Sequence, residues 1–241
     1  MLVELLGLPG SGKSTLVKTL LEKSSDHAIN IETLNQRAER VLQHHKRKRG
    51  YIRRKRGRGW FFATFEFAHC YPEIFRIVFE NAILQQDRNL DFFDLLAQYH
   101  FSKQATDAVG PALSDEGFLH QGSAIFLYPN TYSNIDTYLK HVPCFDTVIH
   151  IGCSIDLAIE RCKSRPKGLP KRYRSFSEQE LSQCYQKLER LHQTCLDHHK
   201  DSRGNIIRVD GQKPWAQKTQ TILDTLSDDG AMGAVPFDIE V

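Results

Sequence analysis

The sequence predicts an α/β domain, a parallel sheet whose strands are followed by helices, carrying a helical insertion. Three observations carry this. Leu2 to Lys18 (LVELLGLPGSGKSTLVK) reads in succession as a buried apolar strand, a glycine-rich turn and an amphipathic helix. Phe145 to Gly152 (FDTVIHIG) and Asn205 to Gly211 (NIIRVDG) are further apolar runs, each with a helix-spaced segment after it. Between Trp60 and Phe101 lie half of the chain's aromatic residues, spaced as on helices rather than strands. With 241 residues the chain can bury a proper core. We expect one domain over 1–226, with a helical insertion at about 33–108, a lid at about 161–175 and a flexible acidic tail over 227–241.

The first turn carries the most specific signal. Gly7, Gly12, Lys13 and Ser14 fit G-x-x-x-x-G-K-[ST], the phosphate-binding loop, and the flanking strand and helix fit as well. Glycines at 7, 10 and 12 let successive N–H groups turn inward toward phosphate oxygens. Pro9 stiffens the turn, and Ser11 and Thr15 complete a cradle running from Gly7 to Thr15. Lys13 supplies a mobile cation for the outer phosphates. The Ser14 hydroxyl suits Mg²⁺, and the helix that begins there aims its positive end at the same anion. Glu4 stands out as a carboxylate in a strand that should be buried on both faces; it lies either near the strand's exposed end or facing an acceptor site.

His27 to Glu32 (HAINIE) reads as a second strand with Glu32 at its carboxyl end, close to the phosphates. His44 to Arg58 follows, with nine Lys/Arg between Lys46 and Arg58 and no acidic residue, so it is either a solvated loop or an anion-contacting segment. In the insertion, Phe75, Val78, Phe79, Ala82 and Ile83 share one helical face, as do Phe92, Leu95, Leu96 and Tyr99, which points to core packing. Pro111 to Gly117 (PALSDEG) is the candidate second active-site strand, ending in Asp115 and Glu116. At the edge of a sheet, one such carboxylate can hold a Mg²⁺ shell while its neighbour takes a proton from an attacking hydroxyl.

After the strand at Phe145 to Gly152, Ser154 caps a helix over Ile155 to Arg165, with Arg161 and Arg165 on one face. A basic, glycine- and proline-broken loop follows, Lys167 to Arg174, able to close over a triphosphate. Leu181, Cys184, Leu188, Leu191 and Cys195 mark a long amphipathic helix whose His192, His198 and His199 read as exposed. A closing helix spans Trp215 to Leu226, and the acidic tail reads as loosely held.

Composition excludes several classes. Net charge is only +3, so the molecule as a whole is not a strongly basic binder. The six cysteines form no C-x-x-C pair and no zinc spacing, which suits reduced thiols and a cytoplasmic setting. No run reads as a signal peptide or a transmembrane segment.

Taken together, GLPGSGKST at 7–15, SDEG at 114–117, FDTVIHIGCSIDLAIERCKSR at 145–165 and RVDG at 208–211 resemble the phosphate-binding-loop kinases of small molecules, the superfamily of thymidylate and deoxynucleoside kinases. The resemblance implies a parallel five-stranded sheet with helices on both faces and an arginine-rich lid that clamps ATP. It implies that Arg161, Arg165 and Arg172 are lid residues and that Val209 to Gly211 approach the adenine. Where many such kinases place an arginine after the strand-end acid, this chain has Glu116. The function implied is transfer of the γ-phosphate of ATP, with Mg²⁺, to a hydroxyl or phosphate of a small acceptor, an anionic one included. Lys13, Asp115, Glu116, Arg161 and Arg165 are the catalytic candidates, with Ser14 and Asp115 for the metal. The base is Asp115, Glu116 or Glu32, in that order of preference. The alternative is an ATP-switched module that binds nucleic acid or another polyanion through 44–58.

Overall fold

A computed structural model describes residues 1–27, 29–48, 57–84, 89–105, 110–127, 134–202, 204–228 and 238–240. Strand β1 (Leu2–Leu6) runs through the phosphate-binding turn into helix α1 (Lys13–Ser24). After a short 3₁₀ turn come β2 (Glu32–Thr33), then α2 (Leu34–Lys48), α3 (Gly57–Cys70), α4 (Pro72–Leu84) and α5 (Asn89–Lys103). The chain returns to the sheet as β3 (Ala112–Ser114), followed by α6 (Phe118–Phe126) and α7 (Ile135–His141). Next are β4 (Thr147–Gly152), α8 (Ile155–Lys163), α9 (Glu178–Asp201), β5 (Asn205–Asp210), α10 (Trp215–Asp228) and β6 (Asp238–Glu240).

The strands form a parallel sheet in the order β2-β3-β1-β4-β5-β6. Successive side chains of a strand point to opposite faces, and here both faces are covered. Val3, Leu5, Leu113, Ile149, Ile151, Ile207 and Val209 pack under Leu16 and Leu20 of α1 and Ile222, Leu223 and Leu226 of α10. Leu2, Leu6, Ala112, Val148 and Ile206 face the other way, toward α6, α7, α9 and the buried side of the insertion. Burial on both faces is why β1, β4 and β5 read as near-continuous apolar runs. The parallel sheet with helices on both faces is the architecture expected, with one strand more than the five implied.

Several expectations need correction. The segment HAINIE contributes only Glu32 to a strand; β2 is two residues long, Glu32 and Thr33 pairing with Ala112 and Leu113 of β3. The weak strand formers Ala112 and Leu113 still make a strand, because they are buried between β1 and β2. In α4 the buried face is Ile74, Ile77 and Val78, while Phe79 is exposed; Ala82 and Ile83 lie where side chains are outside the described residues. The tail expected to be loosely held contributes β6 beside β5. Much of the basic stretch 44–58, residues 49–56, lies outside the described residues.

The α5 face made by Phe92, Leu95, Leu96 and Tyr99 is buried as the spacing predicts. It joins Phe67 of α3 and Phe118 of α6 in an aromatic core, with Tyr99 and Phe118 ring centroids 5.0 Å apart. Helix α9 starts at a capping box, Ser177 accepting from the Glu180 N–H while the Glu180 carboxylate accepts from the Ser177 N–H.

Candidate active site at the phosphate-binding loop

The turn between β1 and α1 takes the shape its glycines permit. Gly10 and Gly12 have φ of 92° and 106°, in the left-handed region that side chains disfavour. A Cβ at Gly10 would also lie 2.1 Å from the Ala158 carbonyl oxygen, so α8 closes against the turn. Leu8 packs with Ala158, Tyr173, Leu181 and Tyr185, tying the turn to the segment after α8 and to α9.

Lys13 bends back over the loop, where its ammonium donates to the Gly7 and Leu8 carbonyl oxygens. Burial pushes its pKa down to about 8, the carboxylates of Glu116 and Asp115 oppose that shift, and the charge of Arg165 adds to it. It therefore remains largely charged at neutral pH, and it is the point on which Glu116, Asp115 and Arg165 converge.

β3 lies beside β1 with Ser114 in register with Glu4, so the residue after β3 arrives beside the loop. There the Ser14 hydroxyl donates to Asp115 Oδ2 across 3.4 Å. Both side chains are exposed, as is Glu116. Two hard oxygens at this separation suit adjacent positions on a small divalent cation, whose octahedral shell spaces neighbouring oxygens by roughly 3 Å. Among the described residues no group of three or more His, Cys, Asp or Glu could cage a metal. A cation held at Ser14 and Asp115 would complete its shell with water and phosphate, the usual habit of Mg²⁺.

The expected arginines divide. α8 ends at Lys163, so Arg165 lies beyond the helix and not one turn along it from Arg161. Arg161 donates to the Gly211 carbonyl oxygen at 2.9 Å, which pins α8 to the turn after β5. Arg172 lies over the ring of the buried Tyr173, 4.7 Å from its centroid. Arg174 donates to the Leu169 and Lys167 carbonyls and so folds the basic loop on itself.

Glu32 is far from this site. It is in register with Ala112, which is in register with Leu2, so it sits at the amino edge of the sheet. The loop leaves the opposite edge after Leu6, about 13 Å along the strand. Glu32 is committed to Arg37 at 2.7 Å and Arg40 at 2.8 Å. Burial raises its pKa, but the two guanidiniums outweigh that and hold it below the usual carboxylate range.

Sequence reading singled out Glu4 but expected it near the strand's exposed end or facing an acceptor site, and it missed the buried polar residues around it on the α6 and α9 face. Glu4 is fully buried and accepts from the His120 N–H at 2.8 Å. His192 and His199, read as exposed, are buried; His192 has its ring centroid 6.3 Å from that of His120. Burial drives His120 and His192 well below the usual imidazole range, and the charge of Lys13 adds to both shifts. His150 falls to about 4 through burial, with Arg208 and Lys13 contributing. The imidazoles behind Lys13 are thus neutral. A signal was present for α9: Leu188, His192, Cys195 and His199 follow one another at steps of four, three and four, which is the apolar stripe itself.

No protein-family model matches the sequence, and no curated protein is similar enough in sequence to register as a relative. Solved structures with a similar chain path include a deoxyadenosine kinase from M. mycoides with bound dATP, at 17% identity and TM-score 0.48, covering 94% of this chain and 100% of that one. The same enzyme described with products dCMP and a flexible dCDP aligns at 14% identity and TM-score 0.46, over 95% of this chain and 100% of that one. Shikimate kinase from Aquifex aeolicus aligns at 19% identity and TM-score 0.41, over 97% of this chain and 100% of that one. No helix among the described residues is long and apolar enough to cross a membrane.

Proposed function

We propose that this chain is a Mg²⁺-dependent kinase that transfers the γ-phosphoryl group of ATP to a hydroxyl or phosphate of a small-molecule acceptor. The observation that carries the reading is the meeting of Ser14 and Asp115 at 3.4 Å beside Lys13, where the loop and the end of β3 come together. A phosphate-binding loop alone marks a nucleotide site. A loop with a strand-end carboxylate on its serine and cations around its lysine has the parts that phosphoryl transfer needs.

Each residue has a distinct task. The N–H groups from Gly7 through Thr15, including those of Gly10, Ser11 and Gly12, hold the donor phosphates, and Pro9 leaves the turn rigid. Lys13 leaves the Gly7 and Leu8 carbonyls and turns to the outer phosphates, a small motion of a side chain already half-buried at the site. Ser14 and Asp115 would hold Mg²⁺, which when bound neutralises phosphate charge. Arg165 and Arg172 stabilise charge on the transferring group, a task that is electrostatic and positional. Arg161, anchored on Gly211, flanks the adenine together with Val209 to Gly211.

With Asp115 engaged by Ser14, Glu116 is the base for a hydroxyl acceptor. It is exposed beside Asp115 at the end of β3, and its charge acts on Lys13, so a hydroxyl brought to the loop can reach it. Glu116 in place of an arginine after Asp115, and the basic insertion at 44–58, favour an acceptor recognised by contacts other than those of the common nucleotide kinases.

The test is ADP release from Mg-ATP across nucleosides, nucleotides, sugars, glycan precursors and oligonucleotides, with Lys13→Ala as control. One acceptor that raises ADP release, and gains a phosphate only when Lys13 is present, supports the reading. Release stimulated by polyanions with no phosphorylated product overturns it.

A further inference from the structure

We propose that Glu4 is a positioning residue, whose carboxylate, wedged beneath Gly117 and seated on the first N–H groups of α6, locks the Asp115–Glu116 turn against the phosphate-binding loop. The inference deepens the reading of the site above and rests on Asp115 being the metal carboxylate.

Three independent features converge on Glu4. The first is topological. Glu4 points to the α6 face of β1, is 0% exposed, and lies in register with Ser114, the last residue of β3. Its side chain is therefore directly under the turn that carries Asp115, Glu116 and Gly117.

The second is hydrogen bonding. The first N–H groups of a helix have no partner inside the helix, and a side chain at the N-cap normally supplies one. The N-cap of α6 is Gly117, which has no side chain to offer. Glu4 supplies the acceptor from a different strand: Oε1 takes the His120 N–H at 2.8 Å, and the N–H groups of Leu119 and Phe118 also favour its ionised form. A negative group there also meets the positive end of the helix dipole.

The third is steric. Gly117 has an ordinary negative φ of −78°, so no backbone strain demands glycine there. What demands it is space: a Cβ would lie 2.3 Å from Glu4 Cδ and 2.5 Å from Oε2. Glu4 and Gly117 thus fit as a pair, and the glycine of the DEG turn is explained by the carboxylate beneath it.

The arrangement is costly, because a carboxylate inside a sheet covered on both faces is desolvated. Its charge acts on Tyr138 of α7, Cys195 of α9 and Cys144 ahead of β4, raising the pKa of each, while the leading influences on Glu4 itself are burial and the α6 N–H groups. Compensation comes from the α6 backbone, and that is what makes the contact directional. β1 runs into Gly7 of the loop, while the turn above Glu4 carries Asp115, so one side chain couples the two halves of the proposed metal site. A partner behind a metal ligand typically changes metal affinity by roughly 10- to 100-fold when it is lost.

The experiment measures ADP affinity by titration calorimetry with and without Mg²⁺, in wild type, Asp115→Asn, Glu4→Gln and Gly117→Ala. The ratio of the two affinities reports the metal site without requiring an acceptor. Glu4→Gln and Gly117→Ala are each expected to cut the Mg²⁺ enhancement by roughly tenfold or more and to leave metal-free ADP affinity unchanged. In a Glu4→Ala background, Gly117→Ala should have little further effect, because the clash is gone. If Asp115→Asn abolishes the enhancement while Glu4→Gln and Gly117→Ala only lower the melting temperature, Glu4 is a packing residue and the inference is overturned. If Asp115→Asn itself leaves the enhancement intact, the metal reading of the site falls instead. Should Glu4→Gln not fold, Gly117→Ala decides the matter alone.

Discussion

Glu4 also makes a quantitative prediction about stability that does not depend on catalysis. Burial raises its pKa from 4.5 to about 7, with the α6 N–H groups pulling the other way. A raised carboxylate pKa means that the folded state binds a proton more tightly than the unfolded chain. The stability this confers is fully present below the unfolded value and is lost as pH rises through the folded one. At about 1.36 kcal/mol per pKa unit, the full span is roughly 3 kcal/mol, of which about 2.5 kcal/mol falls between about pH 5 and about pH 8.

The wild-type curve alone will not reveal this, because buried histidines act in the opposite sense. His150, lowered to about 4, and His120 and His192, also held well below the usual imidazole range by burial, withdraw stability as pH falls below that range. Those contributions are common to wild type and Glu4→Gln and cancel in the difference. Urea unfolding of both proteins across that pH range, extrapolated to water, gives the difference at each pH. The stability of Glu4→Gln relative to wild type should climb by about 2.5 kcal/mol between about pH 5 and about pH 8. A difference that stays flat to within about 0.5 kcal/mol would refute the burial argument, since an accessible carboxylate would have no reason to shift.

Other changes follow from the same geometry. Lys13→Ala should lower kcat by roughly 10²- to 10³-fold with little change in melting temperature, read by steady-state kinetics once an acceptor is found. Gly10→Ala forces a side chain into a left-handed turn against Ala158 O, and should cost at least about 1–3 kcal/mol in urea melts. Glu32→Gln breaks the contacts to Arg37 and Arg40 at the far edge of the sheet. It should lower stability and leave kcat unchanged, which a base at Glu32 would not allow. Arg161→Ala frees the turn at Gly211, and a rise in KM for ATP at near-constant kcat is the expected pattern.

The legible parts of this protein were those in which residue type dictates backbone. The loop was readable because Gly10 and Gly12 must take left-handed conformations and because strand and helix flank it in the right order. Asp115 was readable because a carboxylate ending an apolar run points to a sheet edge, even though β3 itself is poor in strand formers. Long-range placement was not readable. Nothing near Glu4 in sequence says that a helix more than a hundred residues later will set its N–H groups above it. Glu32 was misplaced because a two-residue strand gives no register, and only the pairing with Ala112 fixes which edge it occupies. Arg161 and Arg165 looked equivalent by spacing, but the end of α8 at Lys163 separates them, one to Gly211 and the other toward Lys13.

Phosphoryl transfer at the junction of the loop and the turn after β3 is tested most directly by following the phosphate itself. The protein is incubated with Mg-ATP labelled in the γ-phosphoryl group and with the acceptor panel, and the label is traced by mass spectrometry beside Lys13→Ala and Asp115→Asn controls. Label is expected on one class of small acceptor, dependent on both residues and on Mg²⁺. Label that appears only as inorganic phosphate with every acceptor, in a protein that binds Mg-ATP through Lys13, would contradict it.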